Sequence, residues 1–159
     1  MSKIEEAQEI LMALGLPKGQ QNIRSALTLL ALSNLREEDN WIKAKATNMA
    51  VVGNKENAKY PGVMRFIDEH YNKKYAENSR ETFRRQTLHQ FVQAGIVSHN
   101  PENPDLATNS KDNHYRLSTE ALKVIRAYKS KSWDKEVKGF KKNVGSLQDK
   151  YQKKRDLRK

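Results

Sequence analysis

The run from Asn78 to Val97, NSRETFRRQTLHQFVQAGIV, constrains the fold more than any other stretch of this chain, because it reads as an amphipathic helix running directly into a strand. Asn78 is a good N-cap, and Glu81 stands three residues later, where its carboxylate can reach back to the cap's backbone N–H. At 100° per residue, Phe83, Thr87, Leu88, Phe91 and Val92 fall on one half of the helix and Thr82, Arg85, Gln86, His89 and Gln93 on the other. One face is expected in a core and the other against a partner. Arg pairs bidentately with guanine and Gln with adenine in the major groove, so this mix suits base reading; a merely solvated helix face is the plain alternative.

The neighbouring segments give that helix a setting. Pro61 to Tyr71 is a second helical pattern, with Pro61 suited to a first turn and Val63, Met64, Phe66, Ile67 and Tyr71 at apolar positions. A short polar connection, Asn72 to Glu77, separates the two, which is the helix-turn-helix order. Gly95 is placed to end the helix in a left-handed conformation, Ile96 to His99 reads as a strand, and His114 to Leu117 reads as its return around the loop from Asn100 to Asn113. Upstream, Gln21 to Leu32 and Ile4 to Leu14 repeat the helical spacing, the latter closed by Gly15 and Pro17. Met49 to Val52 is expected as a short edge strand, and Ser118 as the cap of a helix through Tyr128. The expected fold class is mainly α with a small β wing: a winged helix-turn-helix domain with N-terminal and C-terminal helical extensions.

Composition bounds the rest. The 159 residues suffice for one domain with a real core, and they divide into a winged-helix domain over 1–128 and a basic helical tail or linker over 129–159. There is no Cys, which excludes disulfides and thiolate metal sites, and no apolar run of the roughly 20 residues that a membrane span needs, so no membrane partner and a cytoplasmic location are expected. The net charge of +11 favours a polyanion, and twelve Lys/Arg against four acidic residues place +8 of it from Lys129 onward. In that tail Trp133, Val137, Phe140, Val144, Leu147 and Tyr151 follow the 4, 3, 4, 3, 4 spacing of a heptad seam, which either folds back on the domain or docks on another surface.

Catalytic motifs are scarce. His70, His89, His99 and His114 lack metal-ligand spacing, although the last two are expected to approach across the hairpin. No phosphate-binding loop or nucleophile elbow occurs, and Asp134, Glu136 and Lys138 lie along an expected surface helix where they do not converge on a metal. The expectation is a chain that is not itself an enzyme, with no cofactor of its own.

The run NSRETFRRQTLHQFVQAGIV, with QNIRSALTLLAL before it, Asn109 and Ser110 in the loop, and YRLS from Tyr115, resembles the N-terminal domain of type II restriction endonucleases of the BsuBI and PstI family. The resemblance runs from Ile4 into the tail. It implies a bacterial restriction-modification setting and a helix-turn-helix recognition domain fused at its C-terminus to a nuclease domain that cuts DNA with Mg²⁺. By position it points to Arg80, Thr82, Arg84, Arg85, Gln86, Thr87, His89 and Gln90 in the helix and to Asn109 and Ser110 in the wing, although Thr87 falls on the core face.

The function expected from residues and resemblance together is sequence-specific binding of double-stranded DNA, with the helix from Asn78 to Ala94 in the major groove. Arg85 and Gln86 are expected at base edges, and Thr82 and His89 at neighbouring bases or phosphate. Arg80, Lys111 and the wing at Asn109 and Ser110 are expected on the backbone; Ser79, Arg84, Gln90 and Gln93 complete the candidate surface. A second copy of the chain is a candidate partner on palindromic DNA. Three other readings stay open at this point: a methylated-base sensor, a free-standing transcription regulator and a protein-interaction module.

Overall fold

Among the described residues the helix starts at Lys3, Ile23 and Thr119 are set by short polar caps, and the apolar stripes of the helices converge on one core. The computed structural model describes residues 1–53, 59–107 and 110–144. Helix α1 (Lys3–Ala13) opens on a capping box: the Ser2 hydroxyl accepts from the Glu5 amide and the Glu5 carboxylate from the Ser2 amide, both at 3.1 Å. It closes through Gly15 at φ +93°. Helix α2 (Ile23–Leu32) is capped by Asn22, whose Oδ1 accepts from the Ser25 amide at 2.8 Å.

Helix α3 (Val63–Tyr71) starts later than Pro61. The reason is pairing: the Ala50 amide donates to the Pro61 carbonyl at 2.8 Å and the Val63 amide to the Ala50 carbonyl at 2.9 Å. Gly62 is required there, since a Cβ would stand 1.8 Å from the Val52 carbonyl oxygen. Asn72, left-handed at φ +52°, ends the helix.

The continuous helix over 80–93 follows a 3₁₀ turn at Glu77–Ser79. It consists of α4 (Arg80–Thr82), a π-helical stretch at Phe83–Leu88 and α5 (His89–Gln93), not a uniform α-helix. Gly95 at φ +76° turns the chain into strand β1 (Val97–His99), which pairs antiparallel with β2 (Tyr115–Leu117) in the register Val97↔Leu117, Ser98↔Arg116, His99↔Tyr115. The expected edge strand at 49–52 is reduced to bridges: Met49 pairs with Tyr115 at 2.9 and 2.8 Å, and Ala50 with Gly62. The described residues are mainly helical with a small two-stranded antiparallel sheet.

Helix α6 (Thr119–Arg126) is capped by the Ser118 hydroxyl, which accepts from the Ala121 amide at 3.1 Å. Helix α7 (Trp133–Val144) then folds back on the domain. Phe140 is 3% exposed, Trp133 meets Tyr128 edge-on at 5.2 Å between ring centroids, and Val144 packs against Gly95. The domain itself therefore covers the seam as far as Val144; Leu147 and Tyr151 lie outside the described residues. At the opposite end of the chain, Glu6 and Glu9 tie α1 to the end of α6. The Tyr128 hydroxyl donates to Glu9 at 2.6 Å, and Lys129 Nζ and Trp41 Nε1 donate to Glu6 at 2.9 and 3.2 Å. Among the described residues no helix is long and apolar enough to cross a membrane.

Candidate nucleic-acid interface

Two requirements shape the helix over 80–93. Its inner residues Phe83, Thr87, Leu88 and Phe91 are fully buried, which pins the helix to the core and fixes which side chains face out. The Thr87 hydroxyl is not available to a ligand, because it accepts from Arg24 Nε of α2 at 2.9 Å. Outward lie Arg80, Arg85, Gln86 and His89, all exposed, with Ser79, Thr82, Gln90 and Gln93 half-buried along the edges. Glu81, Thr82, Arg85 and Gln86 line a shallow depression on that face. His89 Nε2 accepts from the Gln93 amide nitrogen at 3.0 Å, so these two present themselves as a pair one turn apart.

The expected Asn78 capping box is not formed. The 3₁₀ turn at Glu77–Ser79 begins the helix, no side chain caps it, and the Glu81 carboxylate turns forward instead. It accepts from Arg84 Nε and Nη2 at 3.1 and 2.8 Å and lies 3.2 Å from Arg85 Nε. Arg84 sits on the hairpin side, close enough for its charge to act on Tyr115 and His99.

The hairpin loop is organised by asparagines. Asn100 is fully buried and left-handed at φ +49°, and its Oδ1 accepts from the His114 amide at 2.8 Å while its Nδ2 donates to Asn113 Oδ1 at 2.6 Å. Asn113 Nδ2 in turn donates to the carbonyls of Ala107 and Ser110 at 2.9 and 2.8 Å. His114 is 3% exposed; its Nε2 lies 2.8 Å from Glu102 and its Nδ1 2.9 Å from the Asp112 carbonyl oxygen. His99 stacks on Tyr115 at 4.7 Å and donates to Asn113 Oδ1 at 3.1 Å, so the two histidines of the hairpin have different partners and do not chelate. Lys111 is exposed, Ser110 is held by an Asp112 amide that donates to its hydroxyl at 3.2 Å, and Asn109 lies outside the described residues.

Three contributors escaped sequence reasoning. Arg24 approaches the helix from 63 residues away, with no local signal. Arg116 is exposed on β2, and the in-out alternation of Tyr115, Arg116 and Leu117 was the sign of it. Glu81 was misassigned to the cap. Among the described residues no group of three or more His, Asp or Glu side chains is placed to hold a metal ion.

A three-helix core with the polar face of its last helix exposed, followed by a hairpin, defines the helix-turn-helix class. The chain belongs to the BsuBI/PstI restriction endonuclease family: residues 1–149 match the model of its helix-turn-helix domain. It is 40% identical over 158 residues to the type II restriction enzyme BsuBI of Bacillus subtilis, covering 99% of this chain and 47% of that one. The type II restriction enzyme AplI of Arthrospira platensis is 25% identical over 150 residues, covering 94% and 43%. The structure of SdaI restriction endonuclease superposes with a TM-score of 0.75 at 35% identity, covering 86% of this chain and 40% of that one. The chain thus spans less than half the length of the restriction enzymes it matches. The expectation that it is not an enzyme is overturned: the relatives that cover it nearly end to end are named as type II restriction enzymes, and the matching solved structure as a restriction endonuclease.

Proposed function

We propose that this chain is the target-recognition part of a type II restriction enzyme, and that it reads duplex DNA in a sequence-specific manner. The observation that carries this reading is the helix over 80–93, whose inner face is locked into the core while Arg85, Gln86 and His89 stand exposed on the outer one. A helix fixed in that way can enter the major groove with defined side chains toward the base edges. Arg85 and Gln86 take the base edges, and Thr82 and His89 the neighbouring bases or phosphate. Arg80 holds the backbone beside the helix. The hairpin acts as the wing of a winged helix, with Ser110, Lys111 and Asn109 on the adjacent backbone. Its asparagine network supports this role, because a braced loop loses little freedom when it binds.

Cutting by the whole enzyme is assigned to a separate nuclease domain, joined C-terminally, which would use Mg²⁺; relatives about twice as long leave room for one. Two copies acting on symmetric half-sites fit a palindromic target.

Selection of bound duplexes from a random pool at near-physiological salt tests the reading. A defined motif is expected. Arg85→Ala or Gln86→Ala should then cost about 1 to 3 kcal/mol and blur one base pair, whereas Lys111→Ala should weaken all sequences alike. Binding without a motif would remove sequence specificity from the proposal.

A further inference from the structure

Glu81 is freed from capping, and its carboxylate faces two arginines of its own helix. Arg84 grips it through Nε and Nη2 at 3.1 and 2.8 Å, the two-point fork by which a guanidinium also holds guanine or phosphate. That edge of Arg84 is therefore filled. Arg85 touches the same carboxylate through Nε at 3.2 Å, and its side chain is 74% exposed. The carboxylate also borders the depression shared with Thr82, Arg85 and Gln86, so it stands within the face assigned to DNA. The Arg84 hydrogen bond holds the Glu81 carboxyl below the usual carboxylate range, and the group is an anion at neutral pH. A fixed anion here repels backbone phosphates, whereas the guanine edge, with neutral acceptors at O6 and N7, meets less of that repulsion.

We propose that Glu81 is a specificity-determining residue of this interface: an internal carboxylate that holds Arg84 and Arg85 off phosphates, lowers sequence-independent affinity and leaves Arg85 to a base edge. The proposal rests on the reading of the helix over 80–93 as the DNA-facing element. Its physical content is a change in how many phosphates the chain neutralises. Each one adds about 0.9 to the slope of log affinity against log salt. With Glu81 present, part of the positive charge of the two arginines is compensated from within the protein.

The test compares the 159-residue chain with its Glu81→Gln and Glu81→Asp variants. Each is titrated with the duplex recovered from the random pool and with a scrambled duplex of the same length, over a range of salt. Glu81→Gln keeps the shape and removes the charge. It should bind the scrambled duplex roughly 3- to 10-fold tighter, steepen the salt slope by about 1 and reduce discrimination by a similar factor. Glu81→Asp keeps the charge and should stay within about 2-fold of the parent on the scrambled duplex. An unchanged salt slope with unchanged scrambled-duplex affinity overturns the proposal, as does an equal gain on both duplexes. Loss of preference at one C·G pair alone also overturns it, because Glu81 would then be accepting directly from the cytosine amino group. If the parent chain selects no motif, the sequence-specific reading fails by itself, and the scrambled-duplex titrations still decide whether Glu81 restrains the two arginines.

Discussion

Helix α2 and the helix over 80–93 both carry polar residues, yet they place them in opposite ways. In α2, eight of ten residues are buried, and the Thr28 hydroxyl turns inward on the helix's own backbone, donating to the Arg24 carbonyl at 2.8 Å, as the hydroxyl of Ser33 just after the helix does to the Leu29 carbonyl at 2.7 Å. In the helix over 80–93 only one face is buried, and Glu81, Arg84, Arg85, His89 and Gln93 bond to one another on the outside. A helix surrounded on all sides is a support. One enclosed on a single face can present side chains without being moved by what they bind. Part of what joins the two is a polar contact, from Arg24 of α2 to Thr87 on the buried face of the other helix.

The largest expected effect tests that division directly. Phe91→Ala removes a fully buried ring, and cavity formation should cost about 3 to 5 kcal/mol of unfolding free energy in urea. Gln86→Ala on the opposite face should change stability by no more than about 0.5 kcal/mol. If both variants shifted the urea midpoint alike, the outer face would be structural and not a presenting surface.

How much of this was visible in the sequence follows the same division. The apolar spacing of Phe83, Leu88 and Phe91, the close at Gly95 and the cap at Ser118 are local signals, and the helices, the hairpin and the outward face were legible from them. The start at Asn78 was misread because an Asn three residues before a Glu satisfies the capping pattern equally well when the carboxylate has better partners ahead of it in Arg84 and Arg85. Contacts that join distant residues left no trace: Arg24 with Thr87, Ala50 with Pro61 and Gly62, and α7 against Gly95. The heptad spacing of the tail announced an apolar stripe but not what covers it, because periodicity describes a helix and not its neighbour.

A smaller effect is expected where the two helices meet. Arg24→Ala leaves the buried Thr87 hydroxyl without its donor and should cost about 1 to 2 kcal/mol. Thr87→Val removes the hydroxyl at nearly constant shape, so the double variant should be little worse than Arg24→Ala alone. A coupling energy indistinguishable from zero in that cycle would mean that packing alone sets the helix against α2. Nonzero coupling would sharpen the comparison, since α2 would then position the presenting helix through one named bond.

The smallest effect belongs to the hairpin, which lies outside both helices and carries a titrating group. Burial holds the His99 imidazole below its ordinary value of 6.5, outweighing the Asn113 hydrogen bond that raises it, with the charges of His114 and Arg84 adding to the depression. The folded chain thus favours the neutral ring, and as pH falls the unfolded chain binds the proton first. The stabilisation is complete above the ordinary histidine value and is lost as pH drops through that value toward the depressed one. Urea midpoints between pH 7.5 and 5.5 should therefore fall more for the parent than for His99→Gln. Amide exchange should rise at His99 and Tyr115, which pair across the strands, before it rises in α2. If α2 opened together with the hairpin at low pH, the hairpin would belong to the same cooperative unit as the support helix and could not adjust independently of the core.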